Sequence, residues 1–345
     1  MSSSRIFLAV SLGIGLAARA RGGVGEWTNR GLPAVAIQSV AADPGDPDVV
    51  YAAGATGTYK SADGAAIWTR VMGGTAALAI DPKRPATLYA GGPNLTRSLD
   101  AGVTWTSSAT GLTCPFVTAL AIDPEIPATL FAGASDLAHE PSQCGGLFRS
   151  RDFGATWTAL SPDFIAHGGL AIDPRNPARI FAIEYDEFGN SLHRSEDGGE
   201  SWAPASLGLL DPLAIAPDPT LADRVYVAAI DGVYVSEDAG VSFRRSGLEG
   251  LIVTTVLVDP RVSDLLYAGT LAHGVYRSLD GGQSWSTFNS GLTDLSVSAL
   301  ALSASGARIY AGTNTGGVFD FEFVARAPVT PGAGRPATRL LGPRP

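Results

Sequence analysis

The stretch SLDGGQSW, which runs from Ser278 to Trp285, decides the fold of this chain because variants of it recur along the sequence. The pattern is Ser-x-Asp-x-Gly-x-Ser/Thr-Trp, and successive copies begin 37 to 52 residues apart. A repeat period of this length is typical of solenoids and propellers. The other five copies of this octapeptide are SADGAAIW (Ser61 to Trp68), SLDAGVTW (Ser98 to Trp105), SRDFGATW (Ser150 to Trp157), SEDGGESW (Ser195 to Trp202) and SEDAGVSF (Ser236 to Phe243).

Each octapeptide lies at the same place in a longer unit of short apolar segments. In the sixth unit Thr255 to Val258 is apolar, Asp259-Pro260 interrupts it, and Leu265 to Gly269 resumes it. Gly274 to Arg277 then alternates before the octapeptide, so the unit predicts four short strands. Asp-Pro pairs are typical of turns, and we expect them between the first and second strands. These pairs begin at Asp43, Asp81, Asp123, Asp173 and Asp259.

The octapeptide predicts the turn between the third and fourth strands. Its serine and aspartate can bond turn amides, its glycine can adopt a positive φ, and its aromatic residue can fill the gap between sheets. These structural positions are Ser61, Asp63, Trp68, Ser98, Asp100, Trp105, Ser150, Asp152, Trp157, Ser195, Asp197, Trp202, Ser236, Asp238, Phe243, Ser278, Asp280 and Trp285. We expect the basic residue before five of the copies to pair with turn aspartates: Lys60, Arg97, Arg149, Arg194 and Arg277.

The last unit supplies only three of the four predicted strands and has no octapeptide. Its segments are Val297 to Leu302, Arg308 to Gly312 and Gly317 to Phe323. The phrase EWTNRGL around Trp27 matches the fourth-strand phrases WTSSATGL and WSTFNSGL, so it can provide the missing outer strand. Pairing both chain ends in one blade leaves no open edge in the ring. The sequence therefore predicts an all-β, single seven-bladed β-propeller that is closed by its N-terminal strand.

The N-terminus has the three parts of a secretory signal. Arg5 precedes the apolar run Ile6 to Ala17, and Ala18-Arg19-Ala20 places small residues where a signal peptidase cuts. We expect residues 1–20 to be a signal peptide and residues 21–325 to form the propeller. The protein is then secreted or periplasmic, with no membrane contact after cleavage. The alternative is an N-terminal anchor that is retained, although the run is short for a membrane span.

The charge balance argues against one class of partner. The 345 residues include 33 acidic and 24 basic side chains, which give a formal net charge of −9. Arg326, Arg335, Arg339 and Arg344 lie in the tail, residues 326–345, whose proline and glycine content predicts disorder. The remaining body is more acidic still, and it repels phosphate backbones. We therefore expect no nucleic acid partner, and we expect a monomer.

The two cysteines, Cys114 and Cys144, both lie in the third unit. In an oxidising compartment we expect them to form a disulfide, and closing a loop of about 30 residues adds roughly 3–4 kcal/mol of stability. The alternatives are two separate buried thiols or a metal site, for which the Cys-x-x-Cys spacing is missing.

From about residue 25 to residue 324 the repeat resembles the Asp-box (BNR) superfamily of β-propellers. Its members include sialidases, xyloglucan-cleaving glycoside hydrolases, sortilin-type receptors and photosystem assembly factors. The phrases LYAGT and GVYRS before SLDGGQSW are most similar to the hydrolase and sortilin branch. The resemblance implies a propeller, but enzymes, receptors and scaffolds share this fold, so it does not imply one function.

Motifs of the resembled enzymes are missing from the sequence. Sialidases resemble one another in a Phe/Tyr-Arg-Ile-Pro motif, and the nearest phrase between Arg21 and Tyr51 is Arg30-Gly31-Leu32-Pro33. Xyloglucan-cleaving enzymes place their catalytic aspartates between two propellers, and this chain is long enough for one. A Gly-x-Ser-x-Gly elbow and phosphate-binding glycine motifs are also missing, so we expect neither a nucleophilic triad nor a cofactor.

Two long connections predict where a ligand binds, because functional residues favour long loops on rigid scaffolds. We expect insertions between the second and third strands at Ala134 to Gly145 in the third unit and at Glu184 to Asn190 in the fourth. One alternative is that these loops are solvated decoration. Another is a cation held by His139 with its acidic neighbours, but we expect no metal. The ligand-binding candidates are Asp136, His139, Glu140, Asp163, His167, Tyr185 and Asp186.

The function expected is a non-catalytic propeller that presents this face to a glycan, peptide or protein. The competing hypothesis is a sialidase-like or glucan-cleaving glycoside hydrolase, whose acid and base would be found among Asp136, Glu140, Asp186 and Glu187. Such a pair of carboxyl groups stands roughly 5–10 Å apart across an open cleft. The missing sialidase motif and the missing second propeller favour binding over catalysis.

Overall fold

The computed structural model describes residues 24–114, 116–135, 144–161, 166–186, 189–205 and 211–323. Within these ranges the chain forms 28 strands in seven four-stranded sheets, and it has no helix. The predicted all-β, seven-bladed propeller is confirmed. The predicted signal peptide and tail, residues 1–20 and 326–345, lie outside the described residues. In the part of the chain described, no helix is long and apolar enough to cross a membrane.

Each blade has four strands that follow one another from the axis to the rim, and the blades are numbered 1 to 7 in chain order. The first strands, which contact one another around the axis, are β2 (Ile37–Ala42), β6 (Ala77–Ile80), β10 (Phe116–Ile122), β14 (Ala166–Ile172), β18 (Pro212–Pro217), β22 (Val253–Asp259) and β26 (Val297–Leu302). The second strands are β3 (Val50–Gly54), β7 (Leu88–Gly91), β11 (Leu130–Ser135), β15 (Ile180–Asp186), β19 (Val225–Ala229), β23 (Val262–Thr270) and β27 (Arg308–Thr313).

The two outer positions complete each blade. The third strands are β4 (Gly57–Ser61), β8 (Thr96–Ser98), β12 (Gly145–Ser150), β16 (Gly189–Ser195), β20 (Gly232–Ser236), β24 (Val275–Ser278) and β28 (Val318–Glu322). The fourth strands, at the rim, are β5 (Thr69–Met72), β9 (Thr106–Ser107), β13 (Thr158–Ser161), β17 (Ala203–Pro204), β21 (Arg244–Gly247), β25 (Ser286–Thr287) and, in blade 7, β1 (Trp27–Asn29).

The core lies between neighbouring blades, around the second strands. These strands are almost continuously apolar because both of their faces are covered by adjacent sheets. Each second strand carries one aromatic residue at the same place in the repeat, and its ring is almost fully buried. These residues are Tyr51, Tyr89, Phe131, Phe181, Tyr226, Tyr267 and Tyr310.

The octapeptide turn is held together by its own serine and aspartate. In the sixth copy the Ser278 hydroxyl donates to Asp280 Oδ1 (2.8 Å) and accepts from the Gly282 amide (2.8 Å). Asp280 also accepts from the amide (2.9 Å) and the hydroxyl (2.5 Å) of Ser284. Copies two to five have the same bonds. The fourth and fifth residues have positive φ in every copy, including Ala65, which replaces glycine at 68°.

The basic residues before the octapeptides do not pair with turn aspartates, so that prediction is wrong. In blades 1 to 4 the side chain donates to the carbonyl oxygen of the fourth residue of the next octapeptide, whereas Arg277 in blade 6 lies over the Phe288 ring, 4.8 Å from its centroid. The turn aspartates are already engaged by hydroxyl and amide donors of their own turns. Between blades 7 and 1 this role falls to Arg308, which donates to Gly64 (3.1 Å). The other bonds are Lys60 to Ala101 (2.9 Å), Arg97 to Phe153 (2.6 Å), Arg149 to Gly198 (3.0 Å) and Arg194 to Ala239 (3.0 Å).

Four tryptophans bridge neighbouring blades through their indole N–H groups. Each donates to a carbonyl oxygen at the rim of the preceding blade: Trp27 to Phe288 (2.6 Å), Trp68 to Arg30 (2.9 Å), Trp157 to Ser108 (2.7 Å) and Trp285 to Ser246 (2.9 Å). Trp105 and Trp202 differ, because each donates to a glycine of its own turn, Gly102 or Gly199 (both 3.1 Å). In blades 2 and 4 the indole N–H therefore stabilises the turn of its own octapeptide.

The predicted Asp-Pro turns are confirmed between the first and second strands. At Asp81, for example, Oδ1 accepts from the amides of Lys83 (2.9 Å) and Arg84 (3.0 Å). Asp218 forms a further turn of this kind, which the repeat pattern did not single out. The predicted disulfide is also confirmed: Cys114 and Cys144 are bonded, with their Cα atoms 5.7 Å apart.

The ring closes in blade 7, where the N-terminal strand β1 pairs antiparallel with β28. Next to β1, the Arg30 guanidinium contacts both carboxylate oxygens of Asp320 (2.6 and 3.1 Å). The Asp320 side chain is only 1% exposed. Burial raises its pKa, and the neighbouring Arg30 opposes that shift. The closure of the propeller thus includes a buried ion pair that joins the two ends of the chain.

We expect Arg30→Ala to destabilise the propeller by up to about 3–5 kcal/mol, because the buried Asp320 carboxylate then keeps only the more distant Arg308, whose Nε is 3.9 Å away. Urea unfolding followed by tryptophan fluorescence measures this change. The matched control is Lys83→Ala, which removes an exposed ion pair with Glu125 and is expected to cost about 1 kcal/mol or less. Equal midpoints for the two variants would show that the closure does not depend on this ion pair.

The octapeptide aspartates predict sensitivity to acid. Hydrogen bonds to the Asp100 carboxylate, of which the bond from the Thr104 hydroxyl contributes most, together lower its pKa from 3.8 to about 2. The ionised carboxylate therefore stabilises the fold above about pH 4, and this contribution is lost as the pH falls to about 2. In Thr104→Val we expect the Asp100 pKa to rise toward its ordinary value, as measured by carboxyl-carbon NMR. The control is Thr106→Val, whose hydroxyl bonds the Arg97 carbonyl oxygen instead; the same pKa in all three proteins would contradict the assignment.

Candidate functional site between blades 3 and 4

The predicted insertions are shorter than expected because strands extend into them. In blade 4, Glu184 pairs with Ser191 and Asp186 with Gly189, so most of the expected loop is a β-hairpin. In blade 3, Ser135 pairs with Gly145 at the start of the connection. The expected boundaries Ala134 to Gly145 and Glu184 to Asn190 are therefore corrected to residues 136–144 and 187–188.

The structure places only some of the predicted site residues. His167 lies in β14, and Tyr185 and Asp186 lie in β15, so the backbone brings all three to one end of blade 4. The other candidates lie outside the described residues, and their convergence stays a prediction: Asp136, His139, Glu140, Asp163 and Glu187.

A polar cluster that was not among the predicted site residues lies at this end of blade 4. His193 Nε2 is 2.8 Å from Glu184 Oε2 and 3.0 Å from the Ser191 hydroxyl. The His193 and Glu184 side chains are 19% and 21% exposed, so the cluster is largely buried. His193 faces Ala182 across the hairpin, and Ala182 packs against Leu147 of blade 3. Because alternate strand residues point to opposite faces, the cluster faces blade 3.

A buried hydroxyl from blade 3 faces the same interface. Phe131 packs toward the octapeptide of blade 4, at 3.3 Å from the position of a Cβ on Gly199. Ser135 lies four residues further along the same strand and so points to the same side. Its side chain is 1% exposed, and its Oγ has no hydrogen-bond partner among the described residues. A buried hydroxyl in this state costs about 1–3 kcal/mol, so it requires an explanation.

Comparison of the repeats would have revealed this cluster. Glu184 lies four residues after Ile180, which pairs with the first octapeptide residue, Ser195. The equivalent residue in the other blades is small: Gly54, Gly92, Ala134, Ala229, Thr270 and Thr313. The sequence signal for the cluster is thus Glu184, an acidic residue within a strand at a position where the other blades have a small residue. The predicted site residues were chosen from long loops, and Glu184 was therefore not among them.

The geometry limits the chemistry of the cluster. A nucleophilic triad needs a histidine that contacts its nucleophile through one ring nitrogen and its carboxylate through the other. Here Ser191 and Glu184 both contact Nε2 of His193. Ser191, His193 and Glu184 therefore do not form a triad of that arrangement, and they bring a hydroxyl, an imidazole and a carboxylate together in one interface. No group of three metal-ligating side chains occurs within the described ranges.

Comparison with known proteins identifies the fold. No family model matches the chain. An oligoxyloglucan-reducing end-specific xyloglucanase of Emericella nidulans is 24% identical over 178 residues, which are 44% of this chain and 22% of that protein. The GH74 xyloglucanase from Xanthomonas campestris has a TM-score of 0.67 at 22% identity, over 86% of this chain and 53% of its own. This chain thus spans only part of either enzyme.

A propeller of similar extent is also similar in structure. YCF48 from Cyanidioschyzon merolae has a TM-score of 0.65 at 16% identity, over 86% of this chain and 98% of its own. YCF48 bound to D1 peptide gives a TM-score of 0.65 at 14% identity, over 88% and 98%. At these identities the structural similarities establish a shared seven-bladed propeller fold and no more.

Proposed function

We propose that this chain is a secreted or periplasmic, non-catalytic propeller that binds a glycan, peptide or protein at the end of blades 3 and 4. One observation carries the proposal: the buried Ser135 hydroxyl, which no described residue bonds, faces the same interface as the Glu184, Ser191 and His193 cluster. Buried polar groups are normally paired. A polar ligand that reaches this interface would supply the missing hydrogen bond.

The comparisons support binding in two ways. YCF48 is matched over almost its whole length, and one of its structures contains a bound peptide. The xyloglucanase from Xanthomonas campestris is matched over only 53% of its length. Almost half of that enzyme therefore lies outside the match. The disulfide supports an oxidising compartment, in agreement with the proposed secretion.

A glycoside hydrolase is the second candidate, and the sequence similarity to a xyloglucanase favours it. Its acid and base would come from Asp136, Glu140, Asp186 and Glu187. We expect no release of reducing ends from xyloglucan oligosaccharides by the purified protein. Release that is abolished by Asp186→Asn or Glu187→Gln would replace the binding proposal with a catalytic one.

Removal of the Ser135 hydroxyl tests the proposed binding site, because the stability of the protein and its affinity for the ligand should change in opposite directions. We expect Ser135→Ala to raise the free energy of unfolding by about 1 kcal/mol, since it removes an unsatisfied buried group. The same variant should lower ligand affinity, measured on glycan and peptide arrays and then by calorimetry. Destabilisation by Ser135→Ala would instead mean that the hydroxyl is a structural group.

The acidic member of the cluster provides the second arm of this test. We expect Glu184→Gln to reduce affinity roughly tenfold, the size of effect expected when a charge-assisted hydrogen bond to the ligand is weakened. Glu249→Gln is the matched control, because its carboxylate lies at the exposed rim of blade 5 beside Arg245. If the wild-type protein and both variants retain the same array ligands equally, the interface of blades 3 and 4 is not the binding site.

A further inference from the structure

Four exposed aliphatic side chains lie on the face opposite the octapeptides, in a part of the molecule that the proposed function does not use. Ile230 and Leu271 directly follow the second strands β19 and β23. Ile252 and Leu295 lie in the connections that lead to β22 and β26. Because neighbouring strands run antiparallel, both kinds of connection lie at the end of a blade away from the octapeptide turns. The four side chains are between 38% and 43% exposed, and we call them the apolar arc.

Backbone hydrogen bonds connect the members of the apolar arc from blade 5 to blade 7. The Leu271 amide donates to the Ile252 carbonyl oxygen (3.0 Å). The Gly274 amide, in the same turn as Leu271, donates to the Leu295 carbonyl oxygen (2.9 Å). Ile230 is connected through the residue after it, whose carbonyl oxygen accepts from the amide two positions before Ile252 (3.1 Å). The four side chains therefore belong to one continuous surface.

Other blades have small or polar residues at the corresponding positions. Directly after the second strand, blades 1, 2 and 7 have Ala55, Gly92 and Asn314, where blades 5 and 6 have Ile230 and Leu271. A single exposed aliphatic side chain is normal on a protein surface, whereas adjacent ones indicate an interaction site. The apolar arc is therefore a feature of these particular blades and not of the repeat.

The turns that carry the apolar arc are held by their own hydrogen bonds. Thr270 closes the Leu271 turn, because its amide (3.0 Å) and its hydroxyl (2.8 Å) both donate to the Gly274 carbonyl oxygen. The Asp294 carboxylate, beside Leu295, accepts from two backbone amides of the blade 7 turn (2.9 and 2.6 Å). A surface that is fixed in this way loses little conformational entropy when a partner binds.

The charged groups beside the apolar arc favour a basic partner. Asp231 and Glu249 share one guanidinium, that of Arg245, which contacts both carboxylates. Burial opposes the ionisation of Asp294, but hydrogen bonds to its carboxylate lower its pKa to about 2, so it is charged at neutral pH. His273 adds positive charge only when it is protonated. Carboxylates therefore outnumber guanidinium groups here, and they attract lysine or arginine side chains of a partner.

We propose that the apolar arc binds a segment of a partner protein that combines aliphatic side chains with lysine or arginine. The aliphatic side chains cover Ile252 and Leu271 at the centre of the arc, and the basic side chains reach the carboxylates around it. A symmetric contact between two copies of this chain would instead bring the same carboxylates face to face. An anionic membrane surface is disfavoured by the same repulsion.

The probe for this surface is a fluorescein-labelled peptide that has leucine at every third or fourth position, with lysine and alanine between. Two companion peptides carry glutamate for lysine, or serine for leucine. We expect the lysine and leucine peptide alone to raise fluorescence anisotropy on titration with the protein. Raising sodium chloride from about 0.05 M to about 0.5 M should weaken this binding, because salt screens the attraction between charges. Equal binding of either companion peptide would overturn the proposal.

Variants of the protein test the location. Leu271→Asp places a charge at the centre of the arc, and Leu271→Ser removes the aliphatic side chain without adding a charge; each should weaken binding about tenfold or more. The matched control is Leu279→Asp, because Leu279 is an exposed leucine in the octapeptide of the same blade. Thermal unfolding checks that all three variants fold. Equal loss in Leu271→Asp and Leu279→Asp, or no binding at about 1 mM peptide, would refute the site.

Three further outcomes give the arc or the peptide another assignment and also overturn the proposal. Self-association by light scattering that disappears in Leu271→Asp would assign the arc to a second copy of the chain. Binding to phosphatidylglycerol vesicles that disappears in the same variant would assign it to a membrane. Loss of peptide binding in Glu184→Gln but not in Leu271→Asp would assign the peptide to blades 3 and 4. Failure of the arc therefore leaves the function proposed for those blades unaffected.

Discussion

One main-chain oxygen in each octapeptide connects a blade to the blade before it. The fourth octapeptide residue has a φ between 57° and 72° in all six copies. In copies one to five its carbonyl oxygen accepts a hydrogen bond from a lysine or arginine of the preceding blade. Because the acceptor is a backbone atom, glycine, alanine and phenylalanine all serve at this position, provided that they tolerate the left-handed conformation.

This backbone link keeps neighbouring blades in the same relation around the ring, so single side chains decide what lies between them. Every interface contains a buried aromatic ring of a second strand, and four of the seven interfaces also have a bridging tryptophan at the rim. Glu184 replaces a small residue between blades 3 and 4, which produces a buried polar cluster. Ile230 and Leu271 replace small or polar residues in the turns of blades 5 and 6, which produces the apolar arc. Both candidate sites are thus local exceptions within a repeated structure.

The fold could be predicted because its signals are local in sequence. The octapeptide contains both partners of its turn bonds, and the match between EWTNRGL and the other rim phrases gave the closure of the ring. The partners of Lys60 and Arg97 could not be predicted, because they lie one blade away and are backbone atoms. The polar cluster was not predicted, because the site residues were chosen by the length of the loops. Its members lie within the strands β15 and β16. The orientation of the Trp105 indole depends on how blades 1 and 2 pack, and the spacing of the octapeptide residues, which is the same in every copy, does not predict it.

The pairing of β1 with β28 has a consequence for the order of folding during biosynthesis. The Arg30 and Asp320 side chains that meet there are separated by 290 residues, and the Gly25 amide bonds the Glu322 carbonyl oxygen at 3.0 Å. The strand β1 is therefore synthesised long before its partner β28, while blades 1 to 6 can form from contiguous chain. Until that pairing forms, the backbone edges of both β1 and β28 are open to other chains.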